Sequence, residues 1–262
     1  MKKLFIALTA LGAFTGSALA ADMAPRYTKA PMAMPVAPSW TGFYIFGGGG
    51  GGLWDADSNV RTFPDNVSLS RDARVGGDGW FGTVGAGYDW QFNSSWVAGV
   101  FADGQFGSLR GSIVRPIAFV GAFEGTEKLR TSYAAGVRVG YLVAPNVLSY
   151  VNGGYSGSDW SSASFSGLGG APVGFTTPSF SRNGWFIGGG VENNLNIFGI
   201  SAPGWFMKTE YRSAFYNRVT LPETLISGVP DGFATTFKPY VQTISTSLVY
   251  RFNWTGPLVA KY

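Results

Sequence analysis

The sequence predicts an all-β protein, an eight-stranded antiparallel transmembrane β-barrel with short periplasmic turns and four long extracellular loops. Apolar and small or polar residues alternate with a period of two over eight segments of 13–15 residues. Soluble strands have about 5–6 residues, whereas a tilted membrane-spanning strand needs roughly 9–11. Aromatic residues make up 16% of the chain and charged residues 13%, against about 25% charged in soluble domains. The connections alternate between short and long, which is typical of outer-membrane barrels.

Residues Met1–Ala20 are predicted to be a cleaved signal peptide. Two lysines precede the apolar stretch Leu4–Phe14, and Ala18-Leu19-Ala20 supplies a cleavage site of the Ala-x-Ala type. The apolar stretch is shorter than the ~18 residues of a transmembrane helix, which argues against a membrane anchor. The sequence therefore predicts export from the cytoplasm.

The exported chain is divided into a leader, a barrel and a tail. Ala21–Ser39 is rich in proline and alanine and is predicted to be a flexible leader. The barrel is predicted over 40–252, and a C-terminal tail over 253–262. The eight predicted strands are Thr41–Trp54, Gly79–Phe92, Trp96–Leu109, Leu129–Val143, Val147–Trp160, Asn183–Asn196, Gly204–Tyr216 and Tyr240–Phe252.

The fourth strand shows the alternation most clearly. Leu129, Tyr133 and Val137 share the face predicted to contact lipid, and Arg130 and Arg138 share the face predicted to point into the barrel. Aromatic residues near strand ends are predicted to form the girdles found at both membrane interfaces. These residues are Trp54, Trp80, Trp90, Trp96, Tyr141, Trp160, Trp185, Trp205 and Tyr240.

The connections predict which end of the barrel faces the cell exterior. The short ones, predicted to be periplasmic, are Asn93–Ser95, Ala144–Asn146 and Ile197–Pro203. The long polar ones, predicted to be extracellular loops, are Asp55–Asp78, Arg110–Lys128, Ser161–Arg182 and Asn217–Pro239.

Composition excludes several kinds of chemistry. The chain has no cysteine and no histidine, so disulfides, thiolate metal sites and Ser-His or Cys-His nucleophiles are excluded. We therefore expect no catalytic site, metal or cofactor. The formal charge of +4 falls to about +2 once the two lysines of the signal peptide are removed, which is too small to indicate nucleic-acid binding.

The charged residues on the predicted inner faces form the main candidate site. They are Asp89, Asp103, Arg130, Arg138, Glu192, Lys208, Glu210, Arg212 and Arg251. An eight-stranded barrel has room inside only for side chains, and a buried unpaired ion costs several kcal/mol. These charges should therefore form either a salt-bridged plug or the lining of a narrow or gated channel.

Neighbouring strands suggest which interior charges pair. Asp103 and Arg138 lie on adjacent predicted strands, as do Glu192 and Lys208. We expect Asp103→Ala to destabilise the barrel by leaving Arg138 unpaired.

Two other patterns are given structural interpretations. Loop carboxylates such as Asp55 with Asp57 or Asp65 are interpreted as solvated charge rather than as a catalytic pair. The six glycines Gly47–Gly52 lack the Lys-Ser/Thr of a phosphate-binding loop. They are interpreted as a site of close approach of neighbouring side chains and strong bending in a small barrel.

Four short motifs resemble those of the small outer-membrane β-barrel proteins of alphaproteobacteria, the porin-family surface proteins of rhizobia and brucellae. The motifs are Trp40-Thr41-Gly42-Phe43-Tyr44, Val137-Arg138-Val139-Gly140-Tyr141, Lys208-Thr209-Glu210-Tyr211-Arg212 and Val249-Tyr250-Arg251-Phe252. The resemblance implies an integral outer-membrane protein, porin-like or a structural surface antigen, without enzymatic activity. It also leaves open whether Phe252 or Tyr262 is the signal for barrel assembly.

The function expected from the sequence is a structural and surface role in the cell envelope. The alternatives are a small-solute porin and a ligand- or haem-binding surface receptor, which the absence of histidine disfavours. The expected partners are outer-membrane lipid and lipopolysaccharide, together with the periplasmic chaperone and barrel-assembly machinery. Oligomerisation is left open.

Overall fold

A computed structural model describes residues 39–117, 121–167, 172–197, 200–225 and 227–252. The predicted signal peptide, nearly all of the leader, and the tail with Tyr262 lie outside the described residues. Eleven strands are present among the described residues. They are β1 (Gly42–Thr62), β2 (Ala73–Gln91), β3 (Trp96–Ile117), β4 (Gly121–Ala144), β5 (Val147–Trp160), β6 (Ala163–Gly167), β7 (Pro172–Thr177), β8 (Phe180–Ile197), β9 (Ile200–Tyr216), β10 (Val219–Leu225) and β11 (Pro230–Arg251).

Eight of these strands close into a ring. The order is β1-β2-β3-β4-β5-β8-β9-β11, and β11 pairs back with β1. Each pairing within the ring is antiparallel, and the closing pair runs from Tyr44 opposite Arg251 to Thr62 opposite Phe233. Each of the eight predicted strands coincides with part of one ring strand, apart from the single end residues Thr41, Phe92 and Phe252, which lie just outside. This agreement confirms the predicted barrel. Among the described residues, no helix is long and apolar enough to cross a membrane.

The outer face carries two aromatic belts. Trp80 and Trp90 are exposed and ten residues apart on β2, which is about 33 Å along the strand and about 25 Å in height at the usual tilt. That height matches the apolar band of an outer-membrane barrel. The other predicted girdle residues that are exposed outward are Trp96, Tyr141, Trp185 and Trp205.

Two predicted girdle residues are placed wrongly by the sequence analysis. Trp54 and Trp160 are 1% and 0% exposed, and they pack edge to face inside the barrel at a ring distance of 5.4 Å. Residues an even number of positions apart on a strand share a face. Trp54 is eight residues from the inward-facing Phe46 on β1, and Trp160 is four residues from the inward-facing Ser156 on β5. The alternation along each strand therefore determines that these two side chains point inward, although both lie near a strand end.

The four long connections are largely strands rather than open loops. β5, β8 and β9 end near the outer girdle, whereas β1–β4 and β11 continue beyond it. The short strands β6, β7 and β10 fill the gap, in the order β4-β6-β7-β10-β11. We use the name extracellular extension for β6, β7 and β10 together with the parts of β1–β4 and β11 that continue beyond the outer girdle.

The extracellular extension has its own apolar interior. Phe165 stacks on Phe175 at 4.7 Å, and Phe123 packs edge-on against Phe175 at 5.5 Å. Ile113 and Leu221 are buried as well. Its outer face meets water rather than lipid, so these segments have a polar composition although they are paired strands.

The six consecutive glycines lie in β1 between β2 and β11. A Cβ atom on Gly48 or Gly50 would overlap the backbone of β11, at the carbonyl oxygens of Thr246 and Ile244. A Cβ on Gly47 would meet nothing closer than 3.8 Å. The glycines thus allow the backbones of β1 and β11 to approach closely on the inner face, where these two strands close the ring, whereas the sequence predicted a close approach of side chains.

Candidate functional site

Among the described residues, the inner face of the membrane-spanning part of the barrel contains eight buried charged side chains. All are at most 8% exposed, and four are acidic and four basic. Alternation along each strand places them there, because residues two apart share a face. They are Asp89 on β2, Asp103 on β3, Arg138 on β4, Glu192 on β8, Lys208, Glu210 and Arg212 on β9, and Arg251 on β11.

Four of them form a periplasmic cluster, which consists of Asp89, Arg138, Glu192 and Arg251. Arg138 donates two hydrogen bonds to the Asp89 carboxylate and one to Glu192 Oε2, the latter at 3.1 Å. Arg251 donates to Glu192 Oε1 and to Asp89 Oδ2, both at 2.8 Å. Each guanidinium thus bridges both carboxylates, and the cluster has no net charge.

A glycine allows the two strands that flank β3 to meet in this cluster. Gly99 on β3 lies opposite Asp89 on one side and opposite Arg138 on the other. Strands that are not neighbours lie about 9–10 Å apart, and a Cβ on Gly99 would overlap Asp89 Oδ1. The missing side chain therefore opens the path for the Asp89–Arg138 bond.

Aromatic rings cover the periplasmic cluster. The Arg138 guanidinium lies 4.4 Å from the centre of the Tyr44 ring, and the Arg251 guanidinium lies 4.4 Å from that of Trp40. Trp40 is 1% exposed, donates from Nε1 to the Pro145 carbonyl at 3.3 Å, and packs against Phe206 at 5.1 Å. Trp40 thus closes the periplasmic end of the lumen.

The other four charges form a central cluster, which consists of Asp103, Lys208, Glu210 and Arg212. Arg212 binds Asp103 in a bidentate manner, at 3.0 and 2.7 Å, and also donates to Glu210 at 2.7 Å. Lys208 Nζ lies 3.7 Å from Glu210 and 3.3 Å from the centre of the Phe46 ring. This cluster is also neutral.

Two polar residues of β5 complete the central cluster. Tyr150 and Asn152 both donate to Glu210 Oε2, at 2.8 and 3.0 Å. Gly190 of β8 lies opposite both Tyr150 and Glu210, so a glycine again lets side chains from strands that are not neighbours meet.

An aromatic layer closes the outer end of the membrane-spanning lumen. Trp54, Trp160 and Phe237 contact one another with ring distances of 5.2–5.5 Å, and all are at most 1% exposed. Between this layer and Arg212 lies a cavity of about 10 Å³ bordered by Gln105, which is room for about one water molecule.

The structure brings together eight of the nine charges predicted to face inward, all except Arg130, but not with the predicted partners. The predicted Asp103–Arg138 pair is wrong, since Asp103 binds Arg212 and Arg138 binds Asp89 and Glu192. Glu192 and Lys208 are directly opposite, yet Lys208 pairs with Glu210 and Glu192 with the two arginines.

The inward orientation predicted for Arg130 is also wrong. Between the pairs Leu129–Trp160 and Thr131–Asp159, β4 has one residue more than β5. This β-bulge at Arg130 reverses the alternation, so Leu129 is buried and Arg130 is exposed.

Sequence reasoning missed the neutral residues that complete the site: Tyr150, Asn152, Trp40, Trp54 and Trp160. The parity of the β5 residues and the inward glycines opposite them are the signals that could have identified Tyr150 and Asn152.

The loop carboxylates Asp55, Asp57 and Asp65 are half-buried or exposed beyond the outer girdle. Asp55 and Asp57 lie on the extended part of β1, and Asp57 has Arg74 and Lys238 as its cross-strand neighbours. Asp65 is exposed in the turn that follows β1. Among the described residues, no group of three or more acidic side chains could hold a metal ion.

Comparison with known proteins agrees with this architecture. A family model described as the outer membrane protein β-barrel domain matches residues 6–252. The chain belongs to this family. The match confirms the resemblance drawn from the four sequence motifs and places the protein in the outer membrane.

Relatives of this barrel family support the same conclusion. The 31 kDa outer-membrane immunogenic proteins of Brucella melitensis and Brucella suis are each 32% identical over 216 residues, which cover 80% of this chain and 85% of theirs. The outer membrane protein OprG of Pseudomonas aeruginosa matches in structure with a TM-score of 0.50. That match has 12% identity and covers 80% of this chain and 97% of OprG, so it shows a shared fold.

Proposed function

We propose that this protein is a non-enzymatic structural barrel of the outer membrane that carries a rigid, surface-exposed extension. The observation that carries the proposal is the filled lumen. Trp40 closes the periplasmic end, the two neutral clusters occupy the middle, and the layer of Trp54, Trp160 and Phe237 closes the outer end. A conducting pore needs a continuous water path, and these layers interrupt it.

The carboxylates inside the barrel are engaged in structural bonds. A general acid or base must reach a substrate and exchange its proton. Asp89 and Glu192 each accept hydrogen bonds from two arginines, and Glu210 accepts them from Arg212, Tyr150 and Asn152. These groups support a role in holding the wall together rather than in catalysis.

The extracellular extension supports the surface role. Its strands are hydrogen-bonded into the barrel wall and enclose their own apolar interior, so it presents a fixed surface instead of mobile loops. The two Brucella relatives are named as immunogenic proteins, which fits a surface of this kind. We therefore infer that the extension is the part of the protein exposed to the surroundings of the cell.

Conductance across a planar lipid bilayer tests the sealed lumen. The protein is purified from outer membranes in mild detergent, and its folding is verified by the difference in gel mobility between heated and unheated samples. We expect no discrete channel events from the folded protein. Reproducible conductance steps that scale with the amount of folded protein would overturn the proposal in favour of a porin.

A further inference from the structure

Three basic side chains form a patch on the outer face of the wall, where Arg110 and Arg130 are exposed and Lys128 is half-buried. Arg110 of β3 lies directly opposite Lys128 of β4, and Arg130 follows two residues later. Like charges directly opposite one another on a sheet are destabilising. Among the described residues, no carboxylate lies within 4.0 Å of these three cations, whereas the four cations of the periplasmic and central clusters are each paired.

The bulge at Arg130 places this side chain at the edge of a notch. The notch has a volume of about 390 Å³, and its lining includes Arg130, Thr131, Asp159, Ser179 and Ser181. It forms where β5 and β8 end and the wall passes over to the extracellular extension. A volume of this size is in the range of small-molecule sites.

The notch lies at the height of lipid headgroups. Tyr133 is 41% exposed and contacts Tyr155, which lies opposite the girdle residue Trp185, so Tyr133 belongs to the outer aromatic belt. Arg130 is three residues beyond Tyr133 on the extracellular side. Three residues span about 10 Å along a strand, or about 7–8 Å in height at the usual tilt. The headgroup layer begins at the aromatic belt and is about 5–8 Å deep.

The chemistry of the notch suits a phosphorylated sugar better than a bare phosphate. Arg130, with Lys128 and Arg110 beside it, favours an anion. Asp159, which accepts a hydrogen bond from the Ser181 hydroxyl, opposes an anion but accepts hydrogen bonds from sugar hydroxyls. Phosphate and hydroxyl groups occur together on the glycolipid of the outer leaflet.

We propose that this notch binds the phosphorylated sugar headgroup of an outer-leaflet glycolipid. Arg130 donates to the phosphate, Lys128 and Arg110 add positive potential, and Asp159 and Ser181 contact the sugar hydroxyls. The site fixes one glycolipid at the level where the membrane-spanning wall passes into the extracellular extension.

Native mass spectrometry of the purified protein in non-ionic detergent tests the proposal, with bisphosphorylated lipid A as the probe. Arg130→Gln should weaken lipid A binding about tenfold or more, since it removes a charge-assisted hydrogen bond. Lys128→Gln should weaken it in the same direction. The matched control Lys238→Gln removes an exposed cation on β11, away from the notch, and should bind as the unmodified protein does.

Two further arms identify the ligand. Lipid A without phosphate groups should bind the unmodified protein about tenfold more weakly, and inorganic phosphate at equal concentration should not displace lipid A. Equal binding by Arg130→Gln, an equal loss in Lys238→Gln, equal binding of dephosphorylated lipid A, or displacement by free phosphate would each overturn the proposal. A gel-mobility shift verifies that all variants are folded.

Discussion

Removal of Arg138 should strongly destabilise the barrel. Arg138→Met deletes three hydrogen bonds to the carboxylates of Asp89 and Glu192 and leaves two buried acids with only Arg251. Three charge-assisted bonds would amount to more than about 4 kcal/mol, but the substitution also relieves the desolvation of Arg138 itself. The expected loss in the free energy of unfolding is therefore about 3–5 kcal/mol.

The double variant Asp89→Asn/Arg138→Met tests this electrostatic reasoning. It leaves the neutral pair Glu192–Arg251, so it should be more stable than Arg138→Met alone by about 1 kcal/mol or more. Stability is measured by urea unfolding in lipid vesicles, followed by tryptophan fluorescence. Lys238→Met, at an exposed position, serves as the control and should change stability by less than about 0.5 kcal/mol.

Two results would refute the reasoning. The first is a loss in the free energy of unfolding of less than about 1 kcal/mol in Arg138→Met. It would mean that the guanidinium does not neutralise the buried carboxylates of Asp89 and Glu192. The second is a double variant no more stable than Arg138→Met.

Three further predictions concern other parts of the wall. In a double-mutant cycle, Asp103→Ala and Arg212→Met should couple by about 1–3 kcal/mol because they form a bidentate pair, and additive effects would contradict this. Gly50→Ala should lower the free energy of unfolding by about 1–3 kcal/mol, because its Cβ overlaps the β11 backbone. Gly47→Ala is the control and should be nearly neutral in the same urea assay, because its Cβ would meet nothing nearer than 3.8 Å. Burial raises the pKa of Glu127, in the extracellular extension, from 4.5 to about 8. The folded state therefore holds a proton that the unfolded chain has lost, so this contribution to stability is fully present below about pH 4.5 and is lost as the pH rises through about 8. Glu127→Gln should flatten the pH dependence of the urea midpoint between these values, and an unchanged slope would contradict the assignment.

The sequence predicted the membrane-spanning part of this fold well, because lipid imposes a strict alternation on the outer face of each strand. Val147–Trp160 was predicted with the bounds that β5 has in the structure. Beyond the outer aromatic belt that constraint ends, since water tolerates polar residues on the outer face. The strands there were consequently predicted to be loops.

The interior was predicted less completely, for two physical reasons. A single extra residue reverses the alternation, as the bulge at Arg130 does, and no local feature of the sequence marks it. Ion pairs in a narrow lumen also cross it between strands that are not neighbours, so adjacency on the sheet did not identify the partner of Asp103. The inward glycines Gly99 and Gly190 are the sequence features that indicate such long-range pairs.

The reactivity of one introduced cysteine tests the sealed lumen most directly. The chain has no cysteine, and Ser247 is 2% exposed on the inner face of β11, opposite Lys208. In the folded protein in lipid vesicles, Ser247→Cys should not react with a small, charged thiol reagent added to either side, while Thr220→Cys, exposed on β10, should react at once. Rapid modification of Ser247→Cys in the folded barrel would show a water path through the lumen and would contradict the account.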